Sequence, residues 1–179
     1  MRFECPLPLP DHSVEFVMAS RSLPYVHNNF KSLMAELYQL CVHKAVVCIL
    51  APYAHSFAHI SNPLFKHKFD EYTPRYLTTS FFQPSQGAVC PYLYAYWPET
   101  PLPYDFRLLC MELFYQVPFV PPFYELEELE VLKTLQANVV QEIMYHFVVI
   151  KEPVSVPCSW RGGYRNIRGE DYHVDSFTD

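Results

Sequence analysis

Val14, Phe16 and Met18 alternate with Ser13, Glu15 and Val17, a two-residue period that predicts a strand over residues 13–18. Prolines at 6, 8 and 10 keep the lead-in extended, and Pro24 closes the segment. The period then changes. Phe30, Leu33, Met34, Leu37 and Cys41 recur at helical spacing behind a possible cap at Asn28 or Asn29, which predicts an amphipathic helix over about residues 29–41. Residues 45–51 are continuously apolar and rich in β-branched side chains, the pattern of a strand covered on both faces.

Residues 52–74 have mixed polarity and no sustained period, so a long connection with one helical turn is expected there. Residues 76–83 and 92–97 read as strands separated by a Pro-Ser-Gln-Gly turn, and 106–117 is a further apolar stretch. After Pro121 and Pro122, the carboxylates Glu125, Glu127, Glu128 and Glu130 crowd one helix start, where they complement the positive end of the dipole. The stripe Leu126, Leu129, Leu132, Leu135, Val139, Ile143 and Phe147 extends the predicted helix over about residues 124–146, with Leu129, Leu132, Leu135 and Val139 buried. Residues 145–150 could instead form a strand that follows it, stopped by Pro153.

Helical and strand patterns do not alternate regularly, which disfavours a parallel α/β sheet. The fold expected is α+β: a single compact domain with a mainly antiparallel sheet, two principal helices and a C-terminal tail. Its boundaries are 1–158 for the domain and 159–179 for the tail, where the composition shifts to arginine, glycine, aromatics and then carboxylates.

Composition narrows the function classes. Apolar residues make up 50% of the 179 positions and charged residues only 18%, which excludes wholesale disorder. A formal charge of −6 argues against a general nucleic-acid binder. Of the four glycines, Gly87 is alone in the first 161 residues, so the clustered glycines of Walker and Rossmann phosphate loops are absent. No run of 18 apolar residues escapes a charge or proline, so no membrane insertion is expected. The first ten residues carry no apolar leader core, which predicts a reducing compartment, cytoplasmic or nuclear, with six thiols.

Candidate chemistry is sparse. Cys41, His43 and Cys48 form one cluster and His55, His59 and His67 another, but neither has the paired short spacings of a zinc site. Ser56 stands where a metalloprotease motif needs its glutamate. Cys90 follows a turn, yet Pro91 removes the backbone N–H that would stabilise an oxyanion. No catalytic residue, metal ligand or cofactor is therefore expected.

Two aromatic segments remain. Tyr92, Tyr94 and Tyr96 share one side of a predicted strand and Trp97 the other, either as a hydroxyl-bearing partner surface or as a sheet covered by helices on both faces. Trp160, Arg161, Tyr164, Arg165 and Arg168 interleave aromatics with arginines, a composition suited to protein hot spots or to RNA, although nearby carboxylates offset the charge. These nine residues are the expected partner-binding set. The function expected is a non-catalytic intracellular accessory or adaptor protein binding another protein, one form being a viral accessory protein acting on a host protein. The alternatives are a cysteine/histidine- or zinc-dependent enzyme and an RNA binder acting through the tail.

Overall fold

The computed structural model of the chain describes residues 7–78, 102–120 and 122–151. Strand β1, Val14–Ser20, leads through a 3₁₀ turn at Leu23–Tyr25 to helix α1, Phe30–Leu40. Asn29 starts the helix, its side-chain oxygen accepting the Lys31 N–H at 2.9 Å. Leu33, Met34, Leu37 and Leu40 repeat once per turn and are buried. Cys41 then takes extended angles and the chain passes directly into β2, Cys41–Pro52. β1 and β2 are parallel, with Phe16 opposite Val46 and Ser20 opposite Leu50. Between Val14/Cys41 and Phe16/Val46 the β2 side carries extra residues, and Lys44 absorbs the bulge at φ 66°.

The second unit departs from the predicted long helix. After β3, Phe106–Tyr115, helix α3 covers only Leu126–Leu135, and strand β4 follows at Val140–Val149. Gln136 takes extended angles and ends the helix, Asn138 at φ 66° turns the chain, and Val140 begins a strand that suits β-branched residues. Ile143 and Phe147 fit the stripe because a spacing of four satisfies both periods. Within that stripe Leu129 and Val139 are buried, but Leu132 is half-buried and Leu135 is 75% exposed, contrary to expectation. The carboxylates at the start of α3 act as anticipated, Glu128 reaching back to the Glu125 N–H at 2.9 Å.

The four strands form one sheet in the order β1-β2-β4-β3, antiparallel in the β2–β4 and β4–β3 pairs. The architecture is thus mixed α+β with a mostly antiparallel sheet and two main helices. One sheet face carries Val47, Ile49, Ile143, Tyr145, Phe147, Phe106 and Leu108 into the core, where α1 closes it through Leu33, Met34 and Leu37. The connection after β2 adds Phe69 and Leu77 to the same core. It contains the anticipated single helical turn, α2, at Phe57–Ile60.

Coverage of β2 on its second face is partial. Ala45, Val47, Ile49 and Ala51 are buried on one face; on the other Cys48 and Pro52 are buried, but Val46 and Leu50 are only half-buried beside the exposed Phe16 and Met18. Tyr76 belongs to a 3₁₀ turn at Thr73–Tyr76 and not to a strand. The remainder of the predicted 76–83 strand beyond Thr78, the predicted 92–97 strand and the 159–179 tail lie outside the described residues.

Candidate functional site

The sequence-derived partner set, Tyr92, Tyr94, Tyr96, Trp97, Trp160, Arg161, Tyr164, Arg165 and Arg168, lies outside the described residues, as does Cys90. The two histidine and cysteine clusters are spread apart. Cys41 is in the core, and Cys48 sits on the opposite sheet face from Val47 and Ile49. His55 is exposed, His59 is buried with its ring 5.2 Å from that of Phe65, and His67 contacts the Asn28 carbonyl at 3.0 Å. Among the described residues no three His, Cys, Asp or Glu side chains converge on a metal position. On the half-open sheet face Glu112 lies 3.9 Å from the Cys110 sulfur and 3.8 Å from His146 Nε2, too loose an arrangement to activate the thiol.

A different set of residues does converge. The segment before β1 is tied to the end of α1: His12 N–H donates to the Gln39 carbonyl at 3.1 Å and Ser13 N–H to the Leu40 carbonyl at 2.9 Å. Gln39 Nε2 donates to Asp11 at 2.8 Å. His12 holds φ 53°, a left-handed conformation uncommon outside glycine and asparagine, which places its ring beside the helix end. From the other side, β4 delivers Lys151. The Ile150 N–H donates to Asp105, the Tyr38 hydroxyl donates to the Ile150 carbonyl at 2.7 Å, and the Lys151 N–H donates to His43 Nδ1 at 3.2 Å. His43 is available there because it rides on the Lys44 bulge of β2.

The Lys151 ammonium lies 2.9 Å from His12 Nδ1, 3.1 Å from the Gln39 carbonyl and 5.0 Å above the Tyr38 ring. These contacts suit a cation: the last carbonyls of α1 form the negative end of its dipole, and the phenol ring presents its electron-rich face. Two of the three N–H donors of the ammonium are thereby occupied. With the lysine as donor, His12 accepts at Nδ1, the tautomer whose Nε2 is a second donor. Burial holds the Lys151 ammonium below its ordinary 10.5, an effect partly opposed by Cys41 and Asp11. Burial also raises the Cys41 thiol, against the opposing pull of Lys151.

His12, Ala35, Tyr38, Gln39, Pro103 and Lys151 line an open cleft of about 430 Å³. One end carries the cation and the ring donor; Ala35 and Pro103 supply apolar wall. Chemically, such a site takes an anionic oxygen attached to a small apolar body. Sequence reasoning missed it because Lys151 and His12 are 139 positions apart and neither stands in a motif. The only local signal is that Lys151 directly follows the apolar run 147–150.

No protein-family model matches the chain, and no curated protein matches it in sequence. Among solved structures it is similar to a SAM-dependent methyltransferase from Archaeoglobus fulgidus, at 14% identity and a TM-score of 0.44, over 78% of this chain and 61% of that one. The chain thus spans less than two thirds of the length of that neighbour. No helix among the described residues is long and apolar enough to cross a membrane. The non-catalytic adaptor expected from the sequence, with its host-directed viral form, is not what these comparisons return: no family evidence supports it, and the structural neighbour found is a methyltransferase. Nor does a likeness at this level carry the neighbour's activity or cofactor to this chain.

Proposed function

We propose that this protein binds a small carboxylate-bearing organic molecule in the cleft between the end of α1 and the end of β4. The observation that carries this reading is the Lys151 ammonium, fixed by His12 Nδ1 and the Gln39 carbonyl at the charged end of an otherwise apolar-walled cleft. The cleft is open to solvent, and its volume of about 430 Å³ gives room for a small molecule. Lys151 anchors the carboxylate, His12 Nε2–H offers a second hydrogen bond, and the Tyr38 ring with Ala35 and Pro103 covers the apolar body. The left-handed backbone at His12 and at Lys44, whose bulge carries His43, supports the reading, because strain of this kind gathers where residues are held for binding.

The test is calorimetry and thermal shift with a panel of aromatic and short aliphatic carboxylates, each paired with its neutral amide. Carboxylates raise the melting temperature and the matching amides do not. A charge-assisted hydrogen bond contributes about 1.5–3 kcal/mol, so Lys151→Met weakens binding roughly 10- to 150-fold. Because burial lowers the ammonium's pKa below 10.5, binding declines with rising pH before an ordinary lysine would deprotonate. A panel in which no carboxylate is preferred over its amide, or equal binding by Lys151→Met, overturns the proposal.

A further inference from the structure

Charge is distributed unevenly along the chain. Residues 16–69 hold five lysines and arginines against one carboxylate, Glu36, although the chain as a whole carries −6. Glu36 is itself engaged by the Leu7 N–H, and Arg21 pairs with Glu142. The remaining cations of this stretch include Lys31, Lys66 and Lys68, all exposed. In the same region three large apolar side chains stand in solvent: Phe57, Ile60 and Leu64, exposed by 61%, 62% and 61%.

Contacts bring these features together. α2 is capped by Ser56, whose hydroxyl accepts the His59 N–H, and its single turn sets Phe57 and Ile60 three residues apart. Beneath them the Phe65 ring packs on His59 at 5.2 Å and on Tyr25 at 4.8 Å. The Lys66 N–H is bonded to the Pro24 carbonyl. His67 contacts both the Asn28 carbonyl and the Phe30 ring, which brings the first turn of α1, with Lys31, to the same edge. Neither 22–28 nor 55–68 contains a carboxylate.

We propose that this patch, Phe57, Ile60 and Leu64 with Lys31, Lys66 and Lys68 around them, seats the protein peripherally on an anionic lipid surface. Charge complementarity selects the partner. A negatively charged bilayer attracts juxtaposed lysines within a Debye length, and side chains of this size bury into the boundary between headgroups and acyl chains. Lysine favours this occupant over a protein: it is depleted at protein interfaces, where arginine is enriched, whereas its long stem lies along apolar material and keeps the ammonium at the surface. The attachment is shallow, since α2 has four residues and only three side chains enter.

The experiment is co-sedimentation of the full chain with vesicles of phosphatidylcholine alone and of phosphatidylcholine mixed with phosphatidylserine, at low and high salt. The wild-type chain binds the phosphatidylserine vesicles, binds pure phosphatidylcholine at least tenfold more weakly, and dissociates in high salt. The pair Lys66→Gln and Lys68→Gln lowers binding to phosphatidylserine vesicles about 25-fold, at about fivefold per lysine. Ile60→Ser with Leu64→Ser lowers it on both vesicle types. All four sites are exposed, so the melting temperature stays within a few degrees of wild type and reports folding independently. Equal binding to both vesicle types, or unchanged binding by either pair of variants, overturns the proposal. So does a chain that ignores vesicles but binds polyglutamate through Lys66 and Lys68, which would assign the patch to an acidic protein.

Discussion

Helix α3 has one fully buried side chain, with Leu132 half-buried. Leu129 is fully buried, while Leu126, Val131 and Leu135 are exposed by 65%, 58% and 75%. Polar contacts add to its anchorage: Lys133 bridges Glu130 at 2.7 Å and Glu71 at 3.7 Å, and the Tyr115 hydroxyl donates to Glu130. The contacts of Glu130, which is 56% exposed, contribute up to about 1 kcal/mol each, while the Lys133–Glu71 pair, at 10% and 13% exposure, is more sheltered but longer. Removing three carbons from the buried leucine loses their transfer free energy and leaves a cavity, for a cost of about 2–5 kcal/mol. Leu129→Ala therefore removes the main apolar anchor of α3, whereas Leu135→Ala stays within about 0.5 kcal/mol. Native-state amide exchange separates local from global effects. At about 3 kcal/mol, α3 amides exchange roughly 150-fold faster in Leu129→Ala, with a smaller change in β4. Uniform acceleration of both elements, or a change below about 0.5 kcal/mol in α3, would refute the account of Leu129 as the main anchor.

Two further outcomes follow from the same geometry. Burial first, and then Lys68 and His55, hold the His59 imidazole below its ordinary 6.5. The folded state thus keeps it neutral while the unfolded chain protonates, so stability is full above pH 6.5 and falls as pH drops through the lowered folded value. Thermal melts from pH 7 to pH 5 show this slope, and His59→Phe flattens it; an identical slope in the variant would place the acid sensitivity elsewhere. At Asn138 the side-chain oxygen accepts the Phe57 N–H at 3.0 Å from a left-handed backbone. Asn138→Ala loses the bond and the polar side chain that lets asparagine tolerate positive φ, costing about 2 kcal/mol in chemical denaturation, while Asn138→Gly loses the bond but removes the β-carbon clash and costs about 1 kcal/mol. A glycine variant no more stable than the alanine one would contradict the backbone argument.

The sequence made the first unit legible because its periods are unambiguous. Two-residue alternation marks β1, the Asn29 cap and leucine spacing mark α1, and the apolar run marks β2. The boundary between α3 and β4 was not legible, because Val139, Ile143 and Phe147 recur every four residues and serve a helix or a strand equally. The extended Gln136 and the left-handed Asn138 decide between them, and neither residue type marks a helix end as plainly as glycine would. The half-open sheet face was missed because an apolar run reports hydrophobicity and not which neighbours cover it. The cleft was invisible for a different reason. His12, Tyr38 and Lys151 are joined only by the way α1 ends beside the last residues of β4, and that pairing is a property of topology.

The strand order has a consequence for how the chain is made. β2 lies between a neighbour that precedes it and one that follows much later: Pro52 pairs with Glu142 and Val46 with Val148. On a ribosome adding about 5–20 residues per second, roughly 5–20 s separate completion of β2 from completion of β4. During that interval β1 and α1 can assemble, but one edge of an apolar strand waits without its partner. β3, α3 and β4 emerge together and can zip before they dock. The nascent chain is therefore most exposed to misassociation between the emergence of β2 and that of β4, when a chaperone that covers a strand edge would shield it most effectively.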